Sequence, residues 1–202
     1  MSKLYLAVGS LLTHTPDEDP EEYEDERARL ADMSAWLADE GIDVDLLSEP
    51  GREVWQGEIA EFAHVYHLRV LAAHLGAGRD IAPLKVNRLP KTETPDALLS
   101  KIWEGNTASP YEHLINHTLT DGFYLPVEFE SPIWGQGSDD DEQESVVSFG
   151  SAMALQRELA QLKAALDKEQ IAPRHPAYVA LVTLAAAAQM SVTHRLPISI
   201  WE

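Results

Sequence analysis

The chain contains no cysteine among its 202 residues. That absence excludes a disulfide framework, a thiolate metal site and a cysteine nucleophile. Basic residues are scarce: 15 Lys and Arg stand against 34 Asp and Glu, for a formal charge of −19 and a pI near 4.6. A chain so short of cations is poorly equipped to neutralise phosphates, which argues against direct binding of nucleic acid. The same deficit sets it against anionic membrane surfaces. Long apolar runs are missing too. The longest, Ala177 to Val192, covers 16 residues and is interrupted by Thr183, Gln189 and Ser191, whereas a membrane span needs about 20. The start carries one Lys, a short apolar stretch and no small-residue cleavage site, so it reads as a first strand and not as a signal peptide. A cytoplasmic location is the expectation that follows.

What is present is acid, and it is concentrated. Residues 17–26 hold eight acids in ten positions: Asp17, Glu18, Asp19, Glu21, Glu22, Glu24, Asp25 and Glu26. Residues 139–144 hold five in six: Asp139, Asp140, Asp141, Glu142 and Glu144. Neither run contains a Lys or Arg, and the rest of the chain is close to an ordinary charge balance. A uniformly acidic surface would spread the charge evenly. Two dense runs without counterions point to a surface that meets something basic.

Hydrophobic spacing and breakers give an expected order of elements. Residues 3–9 read as a strand. A helix from about Pro20 to Glu40 follows, ended by Gly41, with Leu30, Met33, Trp36 and Leu37 at helical spacing and acids at its dipole-favoured start. Residues 42–47 are expected to be extended. Residues 57–75 are apolar nearly all round, as in a buried helix, and residues 80–95, with three prolines, read as a connection. A short helix at 96–104 precedes Ser109-Pro110-Tyr111-Glu112, which has the form of a capping box opening a helix to about Leu119. Residues 123–129 alternate as a strand, and Pro126 places it at an edge. An acidic flexible loop is expected at about 135–145. Ser148 or Ser151 then caps a helix to about Asp167, a last helix runs from about Pro176 to Val192, and residues 195–201 could pair with the first strand. The expectation is one domain over 1–202, α+β and mainly helical, with five to six helices and a small sheet of roughly three short strands.

Two histidines, His113 and His117, lie four apart on the capped segment, the spacing of a helical metal-ligand pair. The helical wheel turns them away from Leu114, Ile115 and Leu119, so a surface pair is expected. Glu112 and Asp121 are the weak local candidates for a third ligand to a divalent transition metal. His64, His67 and His74, on the apolar helix, read as hydrogen-bonded core residues. Asp139 to Glu142 lack the glycine and glutamate of a calcium loop. Ser151 lacks the glycine-flanked setting of a nucleophile elbow and reads as a cap.

The stretch His113-Leu-Ile-Asn-His117, followed by Gly122-Phe-Tyr-Leu-Pro-Val-Glu-Phe129 and by Gly150-Ser151 leading into Leu155-Gln-Arg-Glu-Leu159, resembles a group of small uncharacterised bacterial proteins. These share a His-Leu-Ile-x-His helix, a Gly-Tyr-Tyr-x-Pro-Val-x-Phe strand and a Gly-Ser-capped helix. The likeness covers about a quarter of the chain, and Leu119 stands where the group usually has an acid. It implies a shared fold unit and carries no activity.

The sequence is therefore read as a non-enzymatic acidic protein that binds a basic protein partner, with an immunity or inhibitor role as its most concrete form. Electrostatic complementarity speeds such encounters and suppresses wrong partners. No cofactor is expected. The alternatives are a metal-assisted hydrolase built on His113 and His117, with Asp121 or a distant acid as third ligand, and a structural or assembly subunit.

Overall fold

The computed structural model describes residues 3–47, 50–86, 95–137 and 145–202. Six helices and six strands lie among them: β1 (Leu4–Gly9), α1 (Pro20–Asp39), β2 (Glu53–Ile59), α2 (Phe62–Gly76), α3 (Ala97–Trp103), α4 (Glu112–Asn116), β3 (Gly122–Leu125), β4 (Ile133–Gly137), β5 (Ser145–Ser151), α5 (Ala152–Lys168), α6 (Pro176–His194) and β6 (Ile198–Trp201). The strands form one mixed sheet in the order β2-β1-β6-β3-β5-β4, antiparallel except for the β3–β5 pair. The fold is thus α+β, with a sheet twice the expected size.

Strand alternation divides the sheet into two faces. Leu4, Leu6 and Val8 of β1, Tyr124 of β3, and Ile198 and Ile200 of β6 point into a large core shared with α2, α3, α4, α5 and α6. Phe123, Leu125 and Phe149 point the other way, into a smaller core covered by Leu30 and Leu37 of α1 with Met33 and Trp36 beside them. Five helices therefore cover one face and a single helix lies on the other.

Several elements form as their residues dictate. Asp19 caps α1 by accepting a hydrogen bond from Glu22 N–H, Pro20 stands in the first helical turn, and Gly41 adopts φ +81° past the helix end. Ser151 caps α5 through Ala154 N–H. β6 pairs with β1, as its alternation implies.

Other segments correct the expectation. Residues 53–59 form β2 against β1, so the buried helix starts only at Phe62. Residues 42–47 join no strand. β3 lies inside the sheet, between β6 and β5, and Pro126 falls just past its end, where no ladder donor is needed. Residues 135–137, expected in a loop, belong to β4; residues 138–144 lie outside the described residues. α6 runs to 19 residues, long and apolar enough to cross a membrane by length and composition. Here Ala180, Leu181, Leu184, Ala187 and Ala188 of α6 are buried in the large core.

Trp36 ties α1 to the edge of the sheet. Its ring packs 5.5 Å from that of Phe149 and lies over Gly135, where a Cβ would stand 3.0 Å from the indole. A side chain at that point would fit only if the indole gave way by a few tenths of an ångström. Replacing the glycine by valine (Gly135→Val) is expected to push Trp36 off the sheet and to lower stability by about 1–3 kcal/mol. Urea denaturation measures this, and an unchanged midpoint would show that the indole has room to move.

Candidate functional site

The first acidic run lies at the start of α1, and its eight carboxylates do different jobs. Glu26 turns inward. It accepts hydrogen bonds from Thr13 N–H (2.7 Å), His14 N–H (3.0 Å) and the Thr13 hydroxyl (2.7 Å). These bonds hold its pKa below the ordinary carboxylate value against the opposing effect of burial. Asp19 is the N-cap. Glu18 accepts from the Thr15 hydroxyl, and Glu24 pairs with Arg27. Asp17, Glu21, Glu22 and Asp25 are exposed, with no ion pair among the described residues. The sequence grouped all eight as one contact surface. The structure assigns Asp19 and Glu26 to holding the helix.

The acidic surface also reaches further than the dense run. Glu21, Asp25, Ala28, Asp32, Ala35 and Asp39 follow one another at steps of three and four, and all are exposed. They line one stripe of α1, four carboxylates spaced by alanine. At 1.5 Å per residue the stripe is about 27 Å long, roughly eight base-pair steps of a duplex at 3.4 Å each. None of the four forms an ion pair among the described residues. Asp32 and Asp39 escaped a reading based on local density, although their helical period was visible. The second run, Asp139, Asp140, Asp141, Glu142 and Glu144, lies outside the described residues; it connects β4 to β5 past the Gly137–Ser145 pair.

His113 and His117 are not a surface pair. Both are buried at 1% exposure. The Nδ1 of His113 accepts from Ser151 N–H at 2.9 Å, and its Nε2–H donates to the carbonyls of Phe129 and Glu130. In His117, Nδ1 accepts from Leu119 N–H at 2.9 Å and Nε2–H donates to the Phe123 carbonyl at 3.0 Å. Each ring is therefore the neutral Nε2–H tautomer with both nitrogens in use. Glu112 accepts from the Ser131 hydroxyl, and exposed Asp121 accepts from the Thr120 hydroxyl. Among the described residues no three ligating side chains converge on a point that could hold a metal. The wheel misplaced the histidines because α4 has only five residues, His117 lies past its end in extended backbone, and neighbouring elements cover the side that carries His113.

The enclosure is polar and closely fitted. The buried Glu158 of α5 accepts from the N–H groups of His113 and Leu114, both at 2.9 Å, at the positive end of α4. Buried Arg69 of α2 donates to the carbonyls of Leu114 and His117 at the other end. The guanidinium and the carboxyl group thus sit at the ends of this short helix where its dipole favours a positive and a negative charge. The Tyr124 hydroxyl donates to the His113 carbonyl, and its ring stacks on His117 at 3.9 Å. The residues that carry the sequence resemblance are therefore a buried clamp. The expected capping box is replaced: Ser109 accepts from Tyr111 N–H, while Glu158, 45 positions away, serves the helix N-terminus. Its sequence signal was an acid on the apolar stripe between Leu155 and Leu162. Exchanging the carboxylate for an amide (Glu158→Gln) leaves one buried N–H facing a donor, so a loss of about 1–3 kcal/mol is expected in urea denaturation. No loss would deny the clamp its role.

A second group of imidazoles gathers where α2 meets the start of α6. His67 and His175 are buried and lie edge to face at 4.8 Å. His67 contacts the Leu84 carbonyl, and the ring of His175 lies near the backbone of Val86. Burial, with repulsion from His175 and His64, lowers His67 to about 4; burial foremost lowers His117 to about 3, and it also lowers His113 and His175. The unfolded chain takes up protons on these four imidazoles as pH falls through 6.5, before the folded protein does, so stability falls with pH from about 6.5 toward 4. Glu158, raised by burial to about 7, works in the opposite sense between 4.5 and 7. Four imidazoles against one carboxyl give a net loss, expected as a falling urea midpoint between pH 7 and pH 5. A midpoint that rises over that range would contradict it.

Fold and surface together define an acidic α+β protein that holds a row of exposed carboxylates on one helix, without an ion pair among the described residues. A family model described as "Putative DNA-mimic protein" matches residues 2–200, and the chain belongs to that family. The description suggests an acidic protein that stands in for DNA before a protein partner. No curated protein and no solved structure matches the chain.

Proposed function

We propose that this chain binds a DNA-binding protein on the surface which that protein uses for DNA, with the carboxylates of α1 in the place of phosphates. The observation that carries the reading is the exposed stripe Glu21, Asp25, Asp32 and Asp39, with no ion pair among the described residues, in a member of this family. The partner is basic, because a surface shaped for a duplex gains its affinity from Lys and Arg. The chain needs no chemistry of its own for this. It blocks the partner by occupying it, as an inhibitor or immunity protein does, and it acts in the cytoplasm, where the partner meets DNA. The second run, Asp139 to Glu144, which lies outside the described residues, is read from the sequence as further charge for a basic partner.

Three substitutions test it: Glu21→Gln, Asp25→Asn and Asp32→Asn, combined in one protein. All three side chains are exposed and take no part in the clamp. Passing host extract over the immobilised chain is expected to retain DNA-binding proteins that elute with salt. The triple variant is expected to bind them on the order of 10²-fold more weakly while unfolding at the same or higher urea concentration, since like-charge repulsion is relieved. Equal retention by the variant would remove α1 from the interface.

A further inference from the structure

One α-helix is about 10–12 Å across, while six strands at about 4.8 Å spacing make a face roughly 24 Å wide. α1, with the flanking segments that bury Leu11, Leu12, Ile42 and Leu46, therefore covers only part of its sheet face. The consequence is a groove of about 1200 Å³ beside α1, lined among others by Met33, Trp36, Phe123, Val147, Phe149 and Ser199. Strand alternation puts Tyr5 and Trp201 on the same face as Ser199. Their rings stack at 6.1 Å and stay 39% and 44% exposed. The lining carries two acids, Asp32 and Asp121, against one cation, Arg29. Asp32 also belongs to the acidic stripe, so the groove opens directly beside the row of carboxylates.

We propose that this groove seats an apolar side chain from a cationic segment of the partner, with the flanking Lys and Arg of that segment lying along α1. The inference rests on the reading of α1 as the charged contact. The occupant follows from complementarity: an aromatic floor takes an aliphatic or aromatic anchor, and the acidic rim selects a segment with positive charge beside it. Such an anchor lets the chain discriminate among proteins that all bind phosphates, because a buried anchor in a pocket contributes affinity that rim charges do not.

The test uses the full chain and three peptides: acetyl-Lys-Lys-Leu-Phe-Leu-Lys-Lys-amide, the same peptide with Ser-Ser-Ser at its centre, and the apolar peptide flanked by Glu. The first is expected to bind at least about tenfold more tightly than the other two and to shift the backbone amide signals of Phe123, Val147 and Ser199. Placing a cation on the groove floor (Ser199→Arg) is expected to remove that advantage and leave α1 free to bind the Ser-centred peptide weakly. Equal binding of both cationic peptides, with shifts confined to α1, would overturn the groove while leaving the charged contact intact. Failure of both to bind would overturn the groove and weaken the reading of α1. A concentration-dependent dimer abolished by Ser199→Arg would assign the groove to a second copy and overturn the proposal.

Discussion

Like charges fixed along one helix repel each other, and the rest of the molecule has to hold them in place regardless. Carboxylates four residues apart on α1 are about 6 Å apart, close enough to destabilise the helix they stand on. The opposing forces lie on its other side. Leu30 and Leu37 are buried against the sheet, Trp36 covers Gly135, and Glu26 binds the chain at Thr13 and His14. One face of α1 is thus an anchor and another a charged rail. A surface that evolved only to be soluble would relieve the repulsion with i,i+4 cations. α1 has two arginines: Arg27 pairs with Glu24 outside the stripe, and Arg29, four residues after Asp25, forms no ion pair among the described residues.

Charge elsewhere is handled in the opposite way. Lys3, Lys85, Arg157 and Lys163 pair with Glu58, Glu169, Glu128 and Asp167. Arg69 and Glu158 are buried and hold the two ends of α4. Several of the few cations thus neutralise or staple the body, and the densest acid stands on α1 and in the run between β4 and β5. Segregation of this kind converts a net charge, which by itself speaks only of solubility and non-specific attraction, into a directed field.

Legibility in the sequence followed the range of the interactions. Locally determined features could be read: α1 between Pro20 and Gly41, the cap at Ser151, and the alternation of β1 and β6. β2 could not, because Glu53–Ile59 has a weak alternation of its own and forms by pairing with β1 some fifty residues earlier. β5 was missed for a related reason: it pairs in parallel with the distant β3 and antiparallel with β4 across an acidic run that reads as a loop. At the candidate site the density of acid was visible, and its division into anchors and free carboxylates was not, since the roles of Asp19 and Glu26 depend on backbone groups that only the fold brings near. His113 and His117 looked like a site because spacing alone does not show burial. Their fixed tautomers and the distant Glu158 make them part of the scaffold.

The central claim is that the chain and DNA compete for one surface of the partner. The direct measurement adds the chain to a preformed complex of a captured DNA-binding protein with a fluorescent duplex and follows the anisotropy. Mimicry by α1 predicts full release of the duplex, with an apparent affinity that falls in proportion as unlabelled DNA is raised and that weakens with salt as the DNA complex does. A ternary complex, seen as anisotropy that rises above that of the starting complex, would contradict it.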